Sequence, residues 1–164
     1  MKQTAIAIIL FWVFSLMYKI LSGYDSSIMQ VEEILATPNF TYWFGKDDFG
    51  RDIYFRLVDG FINSFLIIFW VTFISSISGI FIGVLSGYIG GKLDQIIKFI
   101  TTLFMSFPGI LLAIAFAAIL SPGKLNLIIA LSIGGWVGYA RLARAQTLLV
   151  KEQDFVKASQ SMGS

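Results

Sequence analysis

The stretch Trp136–Ser164 reads WVGYARLARAQTLLVKEQDFVKASQSMGS. An uncharged apolar run ends in it at Ala140, and Arg141, Arg144, Lys151 and Lys157 follow within a tail of mixed character. Such a transition marks a helix leaving a bilayer, because basic side chains collect at the cytoplasmic ends of membrane spans. The rest of the chain reads outward from that exit as membrane-embedded helix and its connections.

Composition supports this reading. The chain has 164 residues, 57% hydrophobic and 13% charged, with a mean hydropathy of +0.80. A soluble domain carries about 25% charged residues. A core of this size cannot hide so much apolar surface, so the class is an all-α integral membrane protein. There is no cysteine and no histidine, which removes disulfides, thiolate metal sites and the commonest general base. A formal charge of +2 is too small to point to nucleic acid. No catalytic residue, cofactor or metal ligand set is assigned.

Going back from the tail, Leu125–Ala140 is uncharged for 16 residues and follows the turn Ser121-Pro122-Gly123-Lys124. Phe99–Gly123 is a second uncharged run with Phe107-Pro108-Gly109 near its middle. Pro108 lacks an N–H and is expected to kink or break a helix there. In a membrane, such a break persists only where protein or a polar cavity satisfies the freed carbonyls. Gly60–Gly91 is uncharged for 32 residues. Within it Ser75, Gly79 and Gly83 recur every four positions, on one helix face that admits a close neighbour. Gln3–Tyr18, between Lys2 and Lys19, is a further 16-residue run that Ile20 and Leu21 extend. Its competing reading is a cleaved signal peptide with Met1-Lys2 as the basic start. Bulky Trp12 and Tyr18, and the lack of a small-x-small cleavage site, favour a retained helix.

These runs give about four transmembrane helices. The expected organisation is a first helix over residues 1–21, an extracytoplasmic loop over 22–59, and a helical core over 60–164. The loop carries Asp25, Glu32, Glu33, Asp47, Asp48, Asp52 and Asp59, and its spacing matches no EF-hand. The carboxylates are expected to be solvated, and the segment to lack a core of its own. With both termini cytoplasmic, seven basic residues lie inside and five outside, the sense that the positive-inside rule requires.

Several local patterns, in order along the chain, resemble one family. Gly45-Lys46-Asp47-Asp48-Phe49-Gly50-Arg51-Asp52 with Arg56 resembles the GTDxxGRDxxSR segment of oligopeptide and dipeptide importer permeases. Gly87-Tyr88-Ile89-Gly90-Gly91 with Asp94 resembles the family's GYxGGxxD turn. Phe107-Pro108 resembles the FP of its next helix, and Gly135-Trp136 with Tyr139-Ala140-Arg141-Leu142-Ala143-Arg144 its helix exit. Phe155 to Gly163 falls where the family carries its EAAxxxG cytoplasmic motif. The chain looks most like the second permease subunit of such transporters. Lys46 stands in place of the usual threonine, Phe55 of the serine, and Lys157 and Ser159 of the glutamate and second alanine. The family continues past Gly163 with two further spans, so the chain resembles a truncated type I ABC importer permease with its last two spans missing.

The resemblance implies a multi-pass bacterial cytoplasmic-membrane protein that imports peptides, nickel or related small solutes. It implies a second permease subunit, cytoplasmic ATP-binding subunits and an extracytoplasmic solute-binding protein as partners. No GxxxxGK[ST] occurs in the chain, so ATP chemistry belongs to a partner. The implied ATPase-coupling segment includes Asp154, Phe155, Lys157, Ala158, Ser159, Met162 and Gly163.

The residues of the tail allow a reading without the family. Phe155, Ala158, Ser159 and Met162 fall at i, i+3, i+4 and i+7, one face of a short helix, and Gly163 is placed to end it in a left-handed conformation. An amphipathic helix lying on the lipid surface also fits that pattern. A small four-helix membrane assembly or signalling protein without a transport role is the alternative for the whole chain.

Overall fold

A computed structural model describes residues 2–163, apart from the side chains of residues 2, 3, 5, 7–9 and 160. Met1, the Lys2 side chain and Ser164 therefore lie outside the described residues. The fold is helical: α1 (Lys2–Ser22), a single 3₁₀ turn (Val31–Glu33), α2 (Ile53–Ile89), α3 (Gly91–Met105), α4 (Gly109–Ile119), α5 (Lys124–Lys151) and α6 (Asp154–Ser161). It divides into two compact units, up to Leu66 and from Ile67 onward.

Among the described residues, two helices, α2 and α5, are long and apolar enough to cross a membrane, and α3 with α4 makes a third span if the bent pair counts as one. Leu10–Ser22 of α1 is apolar but shorter. At 1.5 Å per residue the 37 residues of α2 run to about 55 Å, well beyond a ~30 Å hydrocarbon layer. The helix therefore starts earlier than the uncharged run. Asp52 is the reason: its carboxylate accepts from the Tyr54 and Phe55 amides at 2.8 and 3.4 Å, the N-cap arrangement that nucleates a first turn.

In the first unit, Tyr54, Phe55 and Val58 are buried, with Trp12, Leu16, Tyr24 and Ile62 packed against them. Trp12 stacks on Phe61 with ring centroids 3.9 Å apart, and Tyr24 on Phe55 at 4.4 Å. The segment after α1 thus contributes Tyr24 to an aromatic core, contrary to the expectation of a coreless loop. Lys19 pairs with Asp59, which also accepts from the Ser26 hydroxyl.

In the second unit α2 and α5 meet along a seam of small residues. A Cβ added at Gly79 would lie 2.4 Å from the Trp136 carbonyl oxygen, and one at Gly83 2.2 Å from that of Ala140. No side chain fits at either place, so glycine sets the helix separation. Farther along, Gly87 faces Arg144 and Thr147, while Gly135 of α5 faces Ser75 of α2. The expected Ser75–Gly79–Gly83 face is the contact face.

The Pro108 expectation is sharpened into a break. α3 stops at Met105, α4 begins at Gly109, and their axes differ by 88°. Pro108 sits at the N-cap of α4 with φ −56° and ψ 122°, where its missing N–H costs nothing. Its carbonyl accepts from Leu111 and Leu112 at 2.9 and 3.2 Å.

α5 continues past the basic exit at Arg141 and Arg144 to Lys151. The change in charge ends the apolar run, whereas Ala, Leu, Arg and Gln keep the helix going.

Candidate functional site

The turn Gly87–Asp94 and the far half of α5 are brought together by charge. Gly90 and Gly91 take φ +69° and +59°, the left-handed conformation glycine adopts without steric cost. They let the chain reverse between α2 and α3, with Gly90 accepting from the Asp94 amide at 3.3 Å. This places the Asp94 carboxylate against Arg144, whose Nε and Nη2 donate to it at 2.5 and 2.8 Å. Two parallel bonds of a guanidinium to a carboxylate are the strongest form of this pair. Ser86 of α2 donates to the same carboxylate at 2.7 Å, and Lys98, one turn along α3, lies 3.2 Å away. One acid therefore ties α2, α3 and α5. Nearby, Lys151 donates to the Tyr88 carbonyl at 2.9 Å. Ser86 escaped the sequence reading, and Lys151 was read only as part of the basic tail, with no partner assigned. Lys98 was legible as the i+4 partner of Asp94.

Arg141 points elsewhere. Its Nη1 lies 2.8 Å from the Met105 sulfur. Trp136 packs edge-on against Phe104 with centroids 5.8 Å apart. Phe107 is exposed beside Pro108 at the break.

The tail forms α6, joined to α5 by the short link Glu152-Gln153. Phe155, Ala158 and Met162 are exposed, as is Asp154 at its first position, while Ser159 is half-buried. Val156, which sequence reasoning missed, faces a cavity of about 640 Å³ shared with Tyr88, Tyr139 and Leu142. Lys157 pairs with Glu152 at 2.8 Å and holds that carboxyl below its ordinary value through a side-chain hydrogen bond. Gly163 has φ +86°, the left-handed terminator expected for it.

The first unit carries the remaining motif positions. The Lys46 side chain is fully buried; its ammonium bonds Gln30 and Glu33 and lies 3.9 Å from the centroid of the Tyr42 ring. Burial works against its charge, but the hydrogen bonds to Glu33 and Tyr42 prevail and raise its pKa. Gly45 (φ +74°) precedes it, and Lys46 pairs in antiparallel fashion with Asp52 across the turn. Asp47 holds the turn from within. It accepts from the Phe49 and Arg51 amides at 2.9 and 3.0 Å, from Arg51 Nε at 2.9 Å, and from Arg56. Burial would raise its pKa, but the Arg51 and Phe49 amides and the two guanidinium groups outweigh it and hold the carboxyl far below the usual range. Gly50, at φ +71°, passes so close to Gln30 that an added Cβ would sit 2.0 Å from its carbonyl oxygen.

Asp47 and Asp52 correct the expectation of solvated carboxylates. Asp52 is 2% exposed, and its pKa is raised by burial against the opposing pull of its two amides. Both acids were counted as surface charge because nothing in their spacing reveals a cap or an Asx turn until the chain is folded.

The apolar helices and their packing are those of a membrane protein. The family described as "Binding-protein-dependent transport system inner membrane component" matches residues 79–164, and the chain belongs to it. With its apolar helices, that places the chain in the cytoplasmic membrane as a multi-pass protein. Among its relatives, the oligopeptide transport system permease protein OppC of Bacillus subtilis (strain 168) is 35% identical over 159 residues, 97% of this chain and 51% of the relative. The probable D,D-dipeptide transport system permease protein DdpC of Escherichia coli (strain K12) is 33% identical over 161 residues, 98% and 54% of the two chains. The glutathione transport system permease protein GsiD of Pectobacterium atrosepticum is 34% identical over 145 residues, 88% and 48%. The chain thus spans about half the length of the curated relatives it matches.

Proposed function

We propose that this chain serves as a transmembrane permease subunit of an ATP-driven importer of peptides or related small solutes. The family match over residues 79–164 carries that reading. In it, α1, α2, the bent α3–α4 pair and α5 are four spans of a type I ABC importer permease fold, and both chain ends face the cytoplasm. Residues 1–21 are the first span, 22–59 the extracytoplasmic segment and 60–164 the permease core. A second permease subunit pairs with it, and an extracytoplasmic solute-binding protein delivers solute to the outer side.

The tail segment with Asp154, Phe155, Lys157, Ala158, Ser159, Met162 and Gly163 docks on a cytoplasmic ATP-binding subunit. The exposure of Phe155 and Met162 supports this, because apolar side chains left in water on a short helix suit a groove in a partner. Arg141 and Arg144 mark the cytoplasmic end of the last span.

Co-expression with its ATP-binding subunit, followed by affinity purification, tests the proposal. Retention of the ATPase by the parent chain and its loss on Ala158→Glu support docking through α6. Stable insertion without any retained ATPase overturns it.

A further inference from the structure

We propose that the groove between α3 and α5 binds the phosphate of an anionic phospholipid, with Arg141 and Lys98 as its cations. The groove is open, about 830 Å³ in volume, and lined by Lys98, Thr101, Thr102 and Ser106 from α3 and its end and by Arg141 and Arg144 from α5.

Its charge is unbalanced. Three cations line it, and among the described residues the acid in contact with them is Asp94, bound at both oxygens by Arg144 and approached by Lys98 at 3.2 Å. Among the described residues, the Met105 thioether is the polar contact of the Arg141 guanidinium. A guanidinium with five donors and a weak sulfur acceptor retains most of its capacity for a phosphate oxygen. Thr102 and Ser106 offer hydroxyls on the same wall, with the Ser106 hydroxyl at present on the Thr102 carbonyl at 3.0 Å.

Depth selects the source of the phosphate. Lys98 is the last charge before the uncharged run Phe99–Gly123, and Arg141 the first after Leu125–Ala140. Both side chains therefore mark the same headgroup level, where basic pockets between spans hold anionic lipid headgroups. Phe99, Leu103 and Leu142 are exposed on the same two helices and supply apolar surface for acyl chains.

The test is native mass spectrometry of the full chain released from mixed micelles of phosphatidylglycerol and phosphatidylcholine at equal amounts. The parent chain is expected to retain phosphatidylglycerol preferentially. Arg141→Gln and Lys98→Gln should each lower that preference about fivefold, while Arg141→Lys keeps most of it. Circular dichroism confirms that each variant is folded, and Lys98→Gln serves if Arg141→Gln is not. Equal retention of the two lipids overturns the proposal, as does an undiminished preference in both folded variants. Displacement of the lipid by millimolar inorganic phosphate would make the site a free-phosphate site and also overturn it. So would a disulfide between Thr102→Cys of two copies formed in vesicles, since the groove would then be filled by protein.

Discussion

Asp94 and Arg144 stand 50 positions apart and form a two-pronged ion pair that joins the start of α3 to the far half of α5. Each belongs to a different family-like motif, and the fold makes the two motifs one structure. Their side chains are 14% and 24% exposed, so neither charge is easily rehydrated if its partner is removed. Asp94→Asn and Arg144→Gln should each destabilise the chain by somewhat less than the ~3–5 kcal/mol of a fully buried pair. Thermal unfolding in detergent, followed by tryptophan fluorescence, checks this. The double variant should cost less than the sum of the singles; strict additivity would show that the pair contributes no coupling.

The α2–α5 seam gives a sharper contrast. Gly83→Ala drives a Cβ to 2.2 Å from the Ala140 carbonyl oxygen, and overpacking of this kind costs ~1–3 kcal/mol. Gly138, on α5 itself, has nothing within 4 Å of an added Cβ. Gly138→Ala should therefore be neutral or stabilising by up to ~1 kcal/mol through helix propensity. Equal unfolding temperatures for the two variants would refute the close approach.

For Asp47 the folded pKa is depressed, so its stabilisation is complete above the unfolded value of about 3.9 and declines as pH falls below it. Pepsin digestion of the membrane-inserted chain between pH 5 and 2 reads this out. Cleavage within residues 23–52 should accelerate toward the acid end in the parent chain. In Asp47→Asn the same segment should already be susceptible at pH 5, with a flatter profile.

On α6, Phe155→Ser and Met162→Ser remove exposed apolar surface and should leave the unfolding temperature unchanged within the ~0.5 kcal/mol typical of surface changes. If the docking proposal holds, both weaken capture of the ATP-binding subunit. A variant that unfolds early would instead place those side chains in intramolecular packing.

Much of this architecture was legible in the chain. The spacing of Ser75, Gly79 and Gly83 predicted the α2 contact face, because a four-residue recurrence maps onto one side of a helix whatever its partner. Gly163 was legible for a similar reason, since a left-handed terminator is a local matter. The hidden features are non-local or combinatorial. Asp52 reads as one more acid until the chain places two free amides above it. Pro108 announces a disturbance, but whether a helix bends gently or turns by 88° depends on how both halves pack against α5. The end of α5 at Lys151 was not legible, because the change in charge marks the end of the apolar run and not of the helix. Helix length follows propensity as well as polarity. Lys46 was the least legible, as its partners Gln30 and Glu33 precede it by 16 and 13 residues with no periodicity to connect them.

That lysine has a consequence for how the family's loops can diverge. A buried ammonium with Glu33, Gln30 and Tyr42 around it cannot replace the usual threonine by itself without being left buried and unpaired. A threonine reaches none of them, and the bond to Glu33 is lost outright. The four positions should therefore be inherited together. Loop transplants between relatives should succeed when all four travel as a set and fail when Lys46 moves alone.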